Sequence, residues 1–390
     1  MEINRDAKAL HAEGGQPHRD STLTIINCYS TPHHTTTPGH TPTAAEPPST
    51  VHTSYYERQV ASEQKRDSLS SSTNLTTVEE ANVSDEPEKK PKKVHRPWFI
   101  WIMTLVQTTG SNFNYFIGPA NGILIHMGAR YAPCMRNMTS YFISHYNTTT
   151  LICPPEIPIA VPNAQNICTL ADLCGFPGTI DAGVTPNQWW RFIMPLVLHA
   201  GLLHYAMNMM FQMRQGVEIE RDWGWWRTGA IYMISGVGGF IFGGNFSPMN
   251  PSVGCSGSIY GLVACLLLDL LQNLRLVKRP LLEVFKMLLI ILISFLIGTL
   301  PNVDNMAHIG GFFCGLIAGL IFVPTVHFST WDGRAKRFFF LLAIPGVILL
   351  YVFLVKGFYE GDVGSKCEFC KYLNCIPGMP WCEAKWAQMA

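Results

Sequence analysis

Gly254-Cys255-Ser256-Gly257-Ser258-Ile259-Tyr260-Gly261 opens an apolar run from Leu262 to Leu274. Together they are long enough to cross a bilayer, because a helix rises about 1.5 Å per residue and the hydrocarbon core is about 30 Å thick. A serine flanked by glycines at the mouth of such a helix is unusual, since glycine weakens helices and serves the close approach of backbones. Taken alone, Ser256 fits helix packing, with its hydroxyl bonded back to a carbonyl one turn earlier. A second stretch, Ala307-His308-Ile309-Gly310-Gly311, makes that bland reading insufficient.

Outward from these stretches, the 390-residue chain is 48% hydrophobic and only 14% charged, with the apolar residues bunched in its last two thirds. Such a balance points to membrane helices and not to a soluble domain. A formal net charge of +1 offers no case for nucleic acid. There is no solenoid repeat, phosphate loop or dinucleotide fingerprint, and no metal or cofactor is implied. The N-terminus lacks a signal-peptide core, so the first membrane helix is expected to direct targeting.

Residues 1–96 are rich in Ser, Thr, Pro, His and charge. Such a segment cannot bury enough apolar area to offset its ordering entropy, and it is expected to be a disordered cytosolic region. His33, His34 and His40 read as composition bias before they read as a metal site. The closing cluster Lys89-Lys90-Pro91-Lys92-Lys93-Val94-His95-Arg96 marks the cytosolic side and suits membrane lipids of negative charge.

Seven membrane-length runs follow, near 98–117, 192–213, 228–245, 254–274, 282–300, 305–323 and 338–355. The first carries Gln107, Thr108, Thr109, Ser111 and Asn112, which predicts a span packed among other helices. Alternate connections carry Arg214, Arg221 and Arg227, then Arg275, Lys278 and Arg279, then Arg334, Lys336 and Arg337. The intervening connections, 245–253 and 301–305, carry no Lys or Arg. This alternation predicts a cytosolic N-terminus and a lumenal or extracellular C-terminus. The expected architecture is an all-α polytopic membrane bundle over residues 97–356, with a long first lumenal loop (118–191) and a Cys-rich tail (357–390).

Cysteine spacing agrees with that orientation. Cys134, Cys153, Cys168 and Cys174 fall in the first loop; Cys367, Cys370, Cys375 and Cys382 fall in the tail. Even-numbered groups in an oxidising compartment read as disulfides, the connectivity open. Cys367-x-x-Cys370 as half a zinc site is the weaker reading, because no ordered ligand spacing completes it. Asn137-Met138-Thr139 and Asn147-Thr148-Thr149 are glycan acceptors in the same loop.

Polar residues recur at one shallow depth, near the non-cytosolic ends of even-numbered spans. His199, His204 and Asn208 open the second, and His204 and Asn208 lie only about 40° apart on a helix face. Ser256 and Tyr260 hold the same relation on the fourth span, and His308 lies on the sixth. Each has a plain alternative: a histidine as a packing residue, Tyr260 as an interface aromatic, Asn208 as interhelical glue. Their agreement in depth is harder to dismiss. Gly257-x-x-x-Gly261 and Gly311-x-x-x-Gly315-x-x-x-Gly319 allow two backbones to approach until the Ser256 hydroxyl meets the His308 imidazole. A serine needs a base to become a nucleophile, and an imidazole suits that task near neutral pH. His204, Asn208 and the Ser256 amide can donate to an oxyanion. Asp304 reads as a helix N-cap and not as an orienting carboxylate, so a Ser–His dyad is expected.

Over roughly residues 97–356 the sequence closely resembles the rhomboid intramembrane serine proteases. The resemblance rests on Gly254-Cys255-Ser256-Gly257, on Ala307-His308-Ile309-Gly310-Gly311, and on His199-Ala200-Gly201-Leu202-Leu203-His204-Tyr205-Ala206-Met207-Asn208. Trp190-Arg191, Glu220 with Gly224, and Gly128-Ala129-Arg130-Tyr131-Ala132-Pro133-Cys134 extend it toward the six-plus-one-helix eukaryotic secretory branch. It implies Ser256 as nucleophile and His308 as general base. It implies His204, Asn208 and the Ser256 amide as the oxyanion hole, Tyr260 as a stacking partner of the imidazole, and Trp190-Arg191 as structural residues. His199, Gly254 and Gly257 join these as supporting positions. Inactive homologues lose the serine or the histidine; this chain keeps both.

The implied function is hydrolysis of single-span transmembrane protein substrates, in or near the outer leaflet. Two other classes stay open at this point. A catalytically silent client-binding or trafficking factor predicts that Ser256→Ala is without effect. A transporter using His199, His204 and His308 as a proton relay predicts pH-dependent flux, although the spans are expected to lack the intramembrane carboxylates of such relays. A cysteine mechanism through Cys255 is disfavoured, because that position points elsewhere on the helix.

Overall fold

The computed structural model describes residues 94–111, 114–119, 121–138, 151–152, 167–168, 173–175, 186–301, 303–360, 367, 369–380 and 382. The region expected to be disordered lies outside these except for its last three residues. There, the His95 amide donates to the Arg221 carbonyl at 3.1 Å. Asn147, Cys153 and the basic run up to Lys93 also lie outside.

Ten α-helices order the described chain: α1 (Trp98–Gly110), α2 (Asn121–Met127), α3 (Gly201–Phe211), α4 (Val217–Trp223), α5 (Trp225–Phe246), α6 (Ser256–Gln272), α7 (Pro280–Ile297), α8 (Asn305–Phe322), α9 (Thr330–Glu360) and α10 (Cys370–Asn374). One π turn, Gln212–Gly216, joins α3 to α4 into a single rod. With the short α2 and α10 set aside, seven rods result among the described residues, and the fold is an all-α membrane bundle. Among the described residues the β structure is a two-residue antiparallel ladder, β1 (Leu151–Ile152) with β2 (Ile167–Cys168), and an isolated bridge between Arg130 and Ser252. By length and composition α5, α7, α8 and α9 can each cross a membrane, and α6 is a shorter apolar helix.

Local chemistry explains most of the ends. Pro280 sits in the first turn of α7, where its missing N–H costs nothing. Asp304 caps α8, its carboxylate accepting from the Ala307 amide. Gly224, at φ +88°, breaks α4 from α5, and Gly254, at φ +115°, turns the chain into α6. Three predicted spans need correction; the last is longer than 338–355, since α9 runs Thr330–Glu360 and takes in Arg334, Lys336 and Arg337. The first is shorter than 98–117 and ends at Gly110. The second does not begin at 192, because residues 189–197 form two 3₁₀ turns, the second with Pro195 near its start. Its helix starts at Gly201, whose φ of +86° lets it pack against the backbone of Tyr115 and Gly118.

Lipid tails are as apolar as leucine, so helices in a bilayer associate through close packing and interhelical hydrogen bonds, the latter worth about 0.6 kcal/mol each. Close packing is concentrated in α5, α6 and α8. In the apolar window of α5 67% of residues are buried, and in that of α8 61%, against 6% for α7 and 11% for α9. The first two form the core, and α7 and α9 form the rim. A Cβ added at Gly311 would collide with the Gly257 carbonyl, one at Gly315 with the Gly261 backbone, and one at Gly239 would sit 2.6 Å from the Ala307 carbonyl. The predicted glycine contact between the fourth and sixth spans is present, and α5 shares it.

The polar face of α1 has a partner. Gln107 is fully buried, and its amide donates to Tyr232 Oη at 2.8 Å and to the Leu196 carbonyl at 3.1 Å. Gln212 closes a ring, donating to Gln107 Oε1 at 2.7 Å and accepting from Tyr232 at 2.7 Å. The π turn begins at Gln212, within this network. Only one stripe of α1 is enclosed in this way: Ile102 and Leu105 are 57% and 66% exposed. The expectation of a first span packed among other helices is therefore met on one face.

Candidate active site

Ser256 is the first residue of α6, where backbone amides have no acceptor within the helix. His308 is the fourth residue of α8, buried to 8% exposure. Glycine contacts bring the two helices together at this level, and Ser256 Oγ lies 2.7 Å from His308 Nε2. With Nε2 unprotonated, the hydroxyl donates to it. Tyr260, one turn along α6, stacks on the imidazole at 4.4 Å between centroids and 15° between planes. Its own hydroxyl donates to the Ser294 carbonyl of α7 at 2.8 Å, which fixes the ring from its far end.

His204 stands against Gly254, two residues before the serine. Its Nδ1 accepts from the Ala200 amide at 3.3 Å, so the proton of the neutral ring sits on Nε2. That edge faces Gly254: a Cβ there would sit 2.7 Å from Cε1 and 3.0 Å from Nε2. Gly254 is thus required twice, by its positive φ and by the imidazole against it. Asn208 donates to the His204 carbonyl at 2.9 Å, and its Oδ1 faces the Cys255 thiol at 3.8 Å. One N–H of its amide is therefore used within the helix, and the group offers two. His199, fully buried, stands behind this layer and not at the serine. Its Nδ1 is 3.2 Å from Ser111 Oγ, its Nε2 3.6 Å from Cys255 Sγ, and its ring meets His204 edge-on. Gly257 offers its carbonyl as the floor on which Gly311 rests.

Comparison with known proteins identifies the arrangement. A family model for the rhomboid domain matches residues 186–325. The chain is 33% identical over 356 residues to Rhomboid-type serine protease 2 of Emericella nidulans, covering 73% of this chain and 69% of that one. The chain belongs to the rhomboid family. It is also 37% identical over 206 residues to Inactive rhomboid protein 1 of Homo sapiens, and 35% identical to the protein of that name from Danio rerio. Each of these matches covers 53% of this chain and 24% of the relative. Family membership alone therefore spans proteases and inactive proteins.

The remaining residues of this rhomboid that the sequence singled out hold other parts of the fold. Arg191, 1% exposed, donates to the carbonyls of Ile125 and Ala129 at 2.7 and 2.8 Å and lies 4.7 Å from the Trp190 ring. Burial pushes its guanidinium down to about 10, still charged at neutral pH. Glu220 accepts the Phe99 and Ile100 amides at 2.8 and 2.7 Å and so caps α1 from another rod. Disulfides join Cys134 to Cys174, Cys367 to Cys370, and Cys375 to Cys382. Cys168 is described only as backbone. Asn137 is exposed.

One expectation fails. The spans do hold carboxylates: Asp269 of α6 is 1% exposed, and Asn273 donates to it at 2.8 Å. It lies thirteen residues from Ser256, about 20 Å along the helix, beyond reach of the three histidines. Sequence reasoning quoted Arg130 and Gln107 but gave neither a partner, and it missed the Gln107–Gln212–Tyr232 ring. The buried ring could have been sought from the polar residues of the first span, but nothing in the sequence names their partners.

Proposed function

We propose that this rhomboid is an active serine endopeptidase that cleaves single-span transmembrane proteins in or near the outer leaflet. The observation that carries this reading is the 2.7 Å contact between Ser256 Oγ and His308 Nε2 under the Tyr260 ring. His308 takes the hydroxyl proton as Ser256 attacks the scissile carbonyl. The oxyanion then receives the His204 Nε2–H, the Ser256 amide at the positive end of α6, and the second N–H of Asn208. His308 returns its proton to the leaving amine, and water deprotonated by the same imidazole releases the acyl group. A helical substrate hides its carbonyls, so it must unwind locally, and helix-breaking residues near the cleavage point favour the reaction.

The protein is an integral membrane protein with several spans. Within this proposal its residues 1–96 face the cytosol, residues 97–356 form the membrane domain, and the loop 118–191 and tail 357–390 face the lumen or exterior of the secretory pathway. Supporting this are the Lys/Arg alternation of the connections and the disulfides of the loop and tail.

The test is reconstitution of the full chain in proteoliposomes with a generic single-span substrate. Wild type is expected to cleave, and Ser256→Ala and His308→Ala to lose at least about 10³-fold in rate, as removal of a nucleophile or its base does elsewhere. The relatives named inactive favour one rival, a client-binding factor on the same fold. Unchanged client handling in Ser256→Ala, together with no cleavage by wild type, would establish that rival instead.

A further inference from the structure

Arg130 belongs to the Gly128–Cys134 stretch of the first loop, far in sequence from both Ser256 and His308, yet it bonds to the approaches to each. Its backbone forms a two-way bridge with Ser252, Arg130 N–H to the Ser252 carbonyl at 2.9 Å and Ser252 N–H to the Arg130 carbonyl at 3.0 Å. Ser252 is four residues before Ser256. Two residues on, the Ala132 amide donates to the Pro248 carbonyl at 3.1 Å, so the loop runs alongside the link from α5 to α6. The side chain then turns the other way. One guanidinium nitrogen donates to the Ser247 carbonyl at 2.7 Å; the other donates to Asp304 Oδ2 at 2.5 Å. Asp304 caps α8 through its second oxygen and is four residues before His308.

The contact is built and not incidental. Arg130 and Asp304 side chains are 0% and 5% exposed. Gly243 of α5 leaves the slot for them: a Cβ there would sit 2.8 Å from Asp304 Oδ2 and 3.3 Å from Arg130 Nη2. A planar fork can hold a carboxylate and a carbonyl at once, which a lysine ammonium does with less directional control.

We propose that Arg130 is a positioning residue for the Ser256–His308 pair, its backbone setting the entry to α6 and its guanidinium setting the start of α8. This rests on the reading of Ser256 and His308 as the reacting groups. Each helix is anchored by the same residue, so the distance between the serine and the imidazole is referred to one point outside both. Severing the anchor lets the two helix starts drift independently. A displacement near 1 Å is enough to cost about 10²-fold in rate.

The experiment uses the full chain in lipid nanodiscs and proteoliposomes. Arg130→Met with Asp304→Asn removes both charges together, which buried pairs tolerate better than loss of one partner, and asparagine remains a good N-cap. The double variant is expected to keep its thermal midpoint, to lose about 10²-fold in kcat with KM within twofold, and to shift the His308 Nε2 nitrogen resonance toward that of Ser256→Ala. Wild-type kcat together with a wild-type resonance would overturn the proposal. If the double variant does not fold, Arg130→Lys, which keeps a charge opposite Asp304, is expected to lose about tenfold in kcat with a partial resonance shift; wild-type values for both would overturn the proposal equally. The resonance needs no turnover. A wild type that fails to cleave therefore sinks the protease reading while the positioning of His308 is still decided by the spectrum.

Discussion

At the scale of single residues, His204, packed on Gly254, and Cys255, next to Ser256 in sequence, have different expected weights. His204 presents a donor edge beside Gly254, with its other nitrogen occupied by the Ala200 amide. Removing one preorganised oxyanion donor typically costs about 10²–10³ in kcat, so His204→Ala is expected to fall in that range with little change in KM. Steady-state cleavage in proteoliposomes measures it. Cys255 adjoins the nucleophile in sequence, but its fully buried thiol faces His199 and Asn208 and not His308. Cys255→Ala is expected to retain cleavage within a few-fold, and thiol alkylation of the folded protein to leave it unchanged. Loss of activity on alkylation would reopen a thiol mechanism.

At the scale of elements, the decisive interface is the one between α6 and α8. Gly311→Ala places a methyl group into the Gly257 carbonyl, and backbone against backbone cannot yield as a flexible side chain would. Overpacking of this kind costs about 1–3 kcal/mol, and it acts on the separation between Ser256 and His308. A lower thermal midpoint and a larger fall in kcat than in affinity are expected. Gly346 on α9 is the control, because an added Cβ meets only Ile317 at 3.8 Å; Gly346→Ala should be neutral in both measurements. A comparable effect at both positions would mean that the glycines matter for helix formation and not for approach.

At the scale of the whole molecule, the first loop is closed by Cys134–Cys174, 40 residues apart. Loop-closure entropy for that span corresponds to about 4 kcal/mol, so Cys134→Ser with Cys174→Ser is expected to lower stability substantially, read as denaturant or thermal unfolding in detergent. Because Arg130 precedes Cys134 by four residues, kcat is expected to fall before the bundle melts. Orientation is testable independently. The exposed Asn137 is expected to carry a glycan removable by endoglycosidase in cells, whereas the sequons Asn74-Leu75-Thr76 and Asn82-Val83-Ser84, in the segment proposed as cytosolic, are expected to carry none. Sugar on the latter pair would reverse the proposed sidedness.

Much of this was legible beforehand because it depends on neighbours within a turn or two. The Asp304 cap, the glycine faces of α6 and α8 and the shared depth of Ser256, Tyr260 and His308 follow from spacing alone. The late start of α3 was misread because Met194–Val197 is as apolar as a helix yet folds as a 3₁₀ turn before a glycine of positive φ. What only the tertiary structure decided is who meets whom across long separations. Arg130 finds Asp304 174 residues away, and Glu220 caps a helix 121 residues before it. Periodicity tells which face of a helix is polar or small. It carries no term for which other rod that face will meet, because that choice is settled by the packing of all the rods together.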